Sequence, residues 1–210
     1  MARRRGFLLT IEGVDGSGKS TQIRRIVSHL KRSGHIVTVV REPGGTRLAE
    51  RIRKLLLDAR SAGLVPPAEL FLYLAARGQL FEEVIGPALA RGEVVTCDRF
   101  TDSTLAYQGG GRGFADATLR KLNDLSTQKR HPDLTLILDV PPHVSAGRMA
   151  SRPDRLESEE GKFFKRVRAR YRRIARIEPR RVKLISAVGT PDEVAGRIRQ
   201  VLDARLKPAS

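Results

Sequence analysis

The run Gly13-Val14-Asp15-Gly16-Ser17-Gly18-Lys19-Ser20 constrains this chain more than any other stretch of it. It fits the pattern G-x-x-x-x-G-K-[ST], in which glycines let successive backbone N–H groups turn inward around a phosphate chain. The flanking residues suit that reading. Phe7-Leu8-Leu9-Thr10-Ile11 just before the run reads as a short apolar strand. Residues 19–33 just after it carry Ile23, Ile26, Val27 and Leu30 at helical spacing, with Gly34 as a stop. A helix that opens on such a loop adds its dipole to anion binding. Gly13, Val14, Asp15, Gly16, Ser17 and Gly18 are therefore expected to wrap the phosphates of a nucleoside triphosphate. Lys19 is expected to reach the β- and γ-phosphates, and the Ser20 hydroxyl to ligate Mg²⁺.

The pattern continues as strands alternating with helices. Ile36-Val37-Thr38-Val39-Val40, Val94-Val95-Thr96-Cys97, Leu134 to Leu138 and Arg181 to Ile185 read as four further strands. Helical patterns cover about 47–59 and 67–91, the second interrupted at Gly86-Pro87. The last helix opens on Thr190-Pro191-Asp192-Glu193, a capping box with proline in its first turn. This alternation predicts an α/β fold, a five-stranded parallel sheet flanked by helices on both faces. At 210 residues the chain is expected to form a single domain spanning 1–210.

Composition excludes several classes. Residues of hydrophobic type make up 40% of the chain, enough to build a core. No apolar run approaches the ~20 residues of a membrane-spanning helix, so no membrane partner is expected. The basic start Met1-Ala2-Arg3-Arg4-Arg5-Gly6 leads into too few apolar residues for a signal peptide, and the lone Cys97 cannot form an internal disulfide. A cytoplasmic location is the expectation. Lysine and arginine number 40 against 23 acidic residues, a net charge of +17. That balance suits nucleic acid, acidic lipid or small polyanionic ligands. Only three tyrosines and seven phenylalanines accompany it, few for stacking single-stranded bases, so nucleic acid is not the expected partner. Residues 162–183 hold eleven basic residues and one acidic residue. Phe163, Phe164, Val167, Tyr171 and Ile174 nevertheless fall on one face, which predicts an amphipathic helix with a cationic outer side.

Within the phosphate-loop class, the sequence has no guanine-reading Asn-Lys-x-Asp. Leu136-Ile137-Leu138-Asp139 is followed by Val140 and two prolines, with no glutamate to activate water as in motor ATPases. Small-molecule phosphoryl transfer is the reading that remains in front. Three further motifs sharpen it: Arg41-Glu42-Pro43-Gly44-Gly45-Thr46, Asp98-Arg99-Phe100, and Ser103-Thr104-Leu105-Ala106-Tyr107-Gln108 followed by Gly109-Gly110-Gly111-Arg112-Gly113. With these the chain resembles the thymidylate kinases of bacterial type over nearly its whole length. The resemblance implies a P-loop kinase fold, transfer of the γ-phosphate of ATP to dTMP with Mg²⁺ as cofactor, and a homodimer.

It also implies roles at the positions that match. Asp15 looks like the carboxylate that accepts from the sugar 3′-hydroxyl. Arg53 and Arg99 resemble the pair that grips the acceptor monophosphate, for which guanidinium forks are suited. Tyr73 and Arg77 lie one helical turn apart, so both can face one pocket. In the family such an aromatic ring stacks on thymine and such an arginine donates to a base carbonyl. Thr104 and Gln108 match positions that read the pyrimidine edge, and Tyr107 the one that crowds the ribose 2′ position. Asp98 is the expected Mg²⁺ partner beside Ser20. Gly16 stands where some members carry an arginine, which implies that a lid at about 148–160 supplies the transition-state charge. Arg148, Arg152 and Arg155 are its three candidates, Arg152 aligning best, and Arg148 and Arg152 are expected to contact ATP. Lys19, Arg99, Asp98 and Arg152 make up the expected catalytic set. Two rivals stay open: a kinase of another pyrimidine deoxynucleotide such as dUMP, and a basic P-loop ATPase stimulated by nucleic acid. Cys97 reads as packing, and His29, His35, His131 and His143 fall in no motif.

Overall fold

In the computed structural model the five apolar runs pair as one parallel sheet: β1 Phe7–Glu12, β2 Val37–Arg41, β3 Val94–Asp98, β4 Leu134–Asp139 and β5 Val182–Ser186. Residues 5–148 and 161–208 are described. The strands stand in the order β2-β3-β1-β4-β5, with β1 at the centre. Ile11 lies opposite Asp98 on one side and Leu136 on the other. Leu8, Leu9 and Ile11 of β1 are fully buried, as expected of a strand covered on both faces. Alternate residues serve different layers. Leu8, Val95 and Cys97 pack with Phe100, whereas Leu9, Ile11, Leu134 and Leu136 join the larger core on the opposite face. β1 has β3 on one side and β4 on the other, and at the carboxyl ends of such central strands open α/β sheets bind their ligands.

Helices fill both faces: α1 Lys19–Arg32, α2 Arg47–Leu57, α3 Pro66–Leu80 and α4 Gly86–Ala90. After β3 come the short α5 Thr101–Thr104, then α6 Asp116–Ser126 and α7 Pro142–Ala146, and finally α8 Gly161–Ile177 and α9 Pro191–Arg205. The sequence pattern over 67–91 predicts a break at Gly86-Pro87. The structure puts it one turn earlier, as a π-type turn over Phe81–Ile85. Pro87 has no N–H for the carbonyl four residues back, and widening the preceding turn absorbs that loss. A second π-type turn, Leu105–Gly111, carries the tyrosine and glutamine of the glycine-rich motif. β2 and β5 each begin one residue later than their apolar runs suggest.

Other expectations hold in detail. Thr190 and Glu193 cap α9 reciprocally. Phe163, Val167, Tyr171 and Ile174 are buried along α8, while Lys162, Lys165, Arg172, Arg173 and Arg176 face outward. Arg168 ties α8 to the end of β4 through two bonds to Asp139, of 2.7 and 2.9 Å. No helix among the described residues is long and apolar enough to cross a membrane.

Candidate active site

Between β1 and α1 the backbone takes positive φ at Gly13, Gly16 and Gly18. A side chain at Gly13 would bring its Cβ within 2.7 Å of the Leu138 carbonyl oxygen. One at Gly16 would run into the Ser145 carbonyl of α7, so the position admits neither an arginine nor any other side chain without a backbone shift. Lys19 Nζ folds back onto the loop, donating to the carbonyls of Gly13 and Val14 at 3.1 Å each. Burial, with the Arg99 charge beside it, lowers its pKa from the ordinary lysine value. Ser20 stands exposed on the first turn of α1.

Two cavities adjoin at the end of β1. One is lined by Arg53, Tyr73, Arg77, Thr104, Tyr107 and Gln108. The other follows the glycine loop past Gly16, Gly18, Lys19, Ser20 and Asp98. Asp15, Glu42, Arg53 and Arg99 line both. Arg148 lies elsewhere, bordering a depression with Ser17, Thr21, Ala187 and Pro191, where its Nη1 donates to the Ala187 carbonyl at 3.1 Å. Arg152, Arg155 and the lid beyond Arg148 lie outside the described residues.

At the junction of the cavities, Arg99 donates to Asp15 Oδ1 at 2.6 Å and its guanidinium lies 4.9 Å above the Tyr107 ring. The Tyr107 hydroxyl reaches Asp15 Oδ2 at 3.5 Å. Burial works to raise the pKa of Asp15, yet the Arg99 and Lys19 charges hold the carboxyl well below the usual range. Burial pushes the Tyr107 phenol up, so it stays protonated as a donor. Arg99 itself has φ 67, a conformation that side chains other than glycine seldom adopt. Arg53 donates to the Pro43 carbonyl at 2.8 Å, and burial together with Arg41 lowers its pKa.

At the far end of the first cavity, the Arg77 guanidinium makes four hydrogen bonds and an ion pair. Nε donates to Glu42 at 2.8 Å, Nη1 to Thr104 at 2.8 Å and Asn123 at 2.7 Å, and Nη2 to the Phe100 carbonyl at 3.1 Å, while Nη2 also lies 2.7 Å from Glu42 Oε2 as an ion pair. Gln108 gives its Nε2 proton to Glu69 at 3.1 Å, and Arg112 holds the other oxygen of Glu69 at 3.0 Å. Tyr73 lies half-buried on the cavity wall. Asp98 ends β3 with its Oδ1 buried and unpartnered.

Sequence reasoning thus brings together the residues of both cavities but misses those behind them: Glu12, Glu42, Glu69, Asn123 and Tyr171 as hydrogen-bond acceptors and donors. Glu12 carried one usable signal, a single acid closing an otherwise apolar strand. Asn123 carried none.

Residues 11–198 match the family model described as thymidylate kinase. The thymidylate kinase of Desulfovibrio desulfuricans is 46% identical, over 96% of this chain and 97% of that protein. That of a Synechococcus strain is 48% identical, over 97% and 98% of the two chains. The crystal structure of the thymidylate kinase of Ehrlichia chaffeensis superposes with a TM-score of 0.79 at 35% identity, covering 95% of this chain and 99% of the other.

Proposed function

The chain belongs to the thymidylate kinase family, and from that premise we propose how its residues divide the transfer of the γ-phosphate of ATP to dTMP, which gives dTDP and ADP. The observation that carries the division is the wall common to both cavities: Asp15, Arg53 and Arg99 line the first cavity and the one along the glycine loop alike. Phosphoryl transfer needs two anions held in line, and guanidinium groups at the junction offset their repulsion. In this reading dTMP fills the first cavity with its phosphate on Arg53 and Arg99 and its 3′-hydroxyl on the Asp15 carboxylate. Tyr73 stacks on thymine, while Thr104, Gln108 and Arg77 border the base edge, and Tyr107 closes the ribose 2′ side. The acceptor phosphate is already an anion, so the site requires no general base.

ATP lays its phosphates along Gly13 to Ser20. Lys19 exchanges the loop carbonyls for the β- and γ-oxygens when they arrive. The adenine end lies toward the depression by Arg148, Ala187 and Pro191. With Arg148 engaged there, Arg152 and then Arg155 are the candidates for the transferring phosphoryl group, in a lid at about 148–160 of the one domain. Ser20 and Asp98 fit Mg²⁺: one is an exposed hydroxyl at the loop, the other a buried carboxylate oxygen lacking a partner. Bound there, the ion neutralises charge on the β- and γ-phosphates.

The test is ADP release from Mg·ATP with each of dTMP, dUMP, dCMP, dGMP and dAMP, plus DNA alone. The expected order places dTMP first. dUMP trails by roughly 10- to 200-fold, because the missing methyl is worth ~1–3 kcal/mol. Turnover with DNA and with no monophosphate would overturn the assignment of the first cavity.

The homodimer belongs to the same proposal. Leu48 and Leu55 on α2 and Phe71 on the adjoining α3 are exposed by 43, 49 and 59%. Three large apolar side chains on two packed helices form a face that a second copy would cover. Light scattering is expected to give twice the chain mass, and Leu55→Glu with Phe71→Glu to give monomers. A monomeric wild type at micromolar concentration would remove the proposal.

A further inference from the structure

Glu12, the last residue of β1, is fully buried, yet no described cation bonds to it. Its Oε1 accepts from the Phe100 N–H at 2.7 Å and the Ser103 N–H at 3.2 Å. Its Oε2 accepts from the Ser103 hydroxyl at 2.6 Å and the Tyr171 hydroxyl at 2.8 Å. A buried carboxylate without an ion pair costs the fold free energy, and a neutral side chain could cap the same short helix. The cost points to what the carboxylate holds.

What it holds is the backbone on which Arg99 stands. The Arg99 N–H donates to Ile11, the residue before Glu12, at 3.0 Å. The next N–H, that of Phe100, is the one bound by Glu12 at 2.7 Å. The left-handed residue is therefore fastened on both sides to the end of β1. Such a conformation costs roughly 1–3 kcal/mol and persists only where its surroundings enforce it. The side chain is supported as well. Arg99 Nη1 lies 3.4 Å from Ser103 Oγ, which in turn lies 2.9 Å from the Tyr171 hydroxyl.

We propose that Glu12 is a positioning residue for Arg99, and that the Tyr171 hydroxyl makes α8, the helix following residues 149–160, part of the same support. The inference rests on the reading of Arg99 as the arginine of the acceptor phosphate. The charged and titratable groups facing Glu12 are Asp102, Arg99, Lys19, Cys97 and Tyr171. Burial and then Asp102 push the carboxyl up to about 7, against the Ser103, Arg99 and Tyr171 contacts that favour its charge. The ionised form accepts all four bonds, so support weakens as pH falls through that value.

The experiment compares wild type, Tyr171→Phe, Glu12→Gln and Arg99→Ala by kcat, KM for each substrate, thermal melting and the pH profile of kcat/KM. Tyr171→Phe is expected to lower kcat/KM for dTMP by roughly 2- to 30-fold with KM for ATP unchanged. It also moves the acidic limb to higher pH, because the carboxylate loses a donor. The phosphate of dTMP titrates in the same region but identically for every variant, so the difference belongs to the protein. Glu12→Gln removes the Glu12 contribution to that limb. If Glu12→Gln does not fold, Tyr171→Phe alone decides. Folded variants with wild-type kcat/KM and an unmoved limb overturn the inference and leave Glu12 a helix cap. If Arg99→Ala leaves dTMP turnover intact, the reading of Arg99 fails first, and this inference with it.

Discussion

Arg99→Ala is expected to lower kcat with dTMP by roughly 10³- to 10⁵-fold, the range seen when a phosphoryl-transfer arginine is removed. Three features make the loss this large. Arg99 lies on the wall common to both cavities, so one guanidinium serves both anions. It also holds Asp15 at 2.6 Å, the carboxylate that takes the sugar hydroxyl in our reading. Finally, Lys19 lies beneath the loop, bonded to the Gly13 and Val14 carbonyls, and cannot replace a fork on the acceptor side. Losing Arg99 removes the strongest influence that lowers the Asp15 pKa and leaves Lys19 alone to oppose burial. Arg99→Lys keeps the charge without the fork and should recover only part of the rate. Steady-state kinetics with calorimetric titration of ATP separates the effects: kcat collapses while ATP binding survives. A loss of kcat smaller than tenfold would remove Arg99 from the chemistry.

What the sequence reveals and what it hides follow from the range of each interaction. The glycine loop is legible because its strand, turn and helix are contiguous, each leaving its own periodic trace. The sheet is legible for the same reason, since the apolar runs of its inner strands, such as Leu134 to Leu138, bury on both faces. The break in the helix over 67–91 is misplaced by one turn because Pro87 marks where an N–H is missing, not where the chain relaxes. Nothing local announces the supports of the site. Tyr171 meets Glu12 across 159 residues, and Arg77 meets Asn123 across 46. Periodicity alone assigns Tyr171 to an apolar helical face, where it does lie, and is silent about its hydroxyl. The resemblance places Arg77 beside the base, and the structure adds that its guanidinium is also the hub of a buried network. Charge misleads in a similar way, because the cationic side of α8 faces outward while Arg168 is drawn inward to Asp139.

The second large effect concerns that hub. Arg77 is 2% exposed and Glu42 6%, and the two form an ion pair at 2.7 Å. Arg77→Met keeps most of the volume but strands the Glu42 carboxylate, the Asn123 amide oxygen and the Phe100 carbonyl. Breaking a buried pair on one side typically costs about 3–5 kcal/mol. For a chain of this length that lowers Tm by roughly 6–20 °C. The effect has a sign in pH. Burial already raises the Glu42 pKa above its ordinary value of 4.5, and Arg77 opposes the rise. Without Arg77 the rise is unopposed, so the folded variant holds a proton that the unfolded chain releases above about 4.5. Stability is then present below that pH and lost as pH rises through the folded value. The deficit against wild type should therefore be larger at pH 7.5 than at pH 5. Arg77→Lys should recover little, because an ammonium has three donors in place of a planar five and cannot span these partners. Thermal melts at the two pH values decide the matter. A variant that melts with wild type, and shows only a raised KM for dTMP, would make Arg77 a reader of the base with no part in holding the fold.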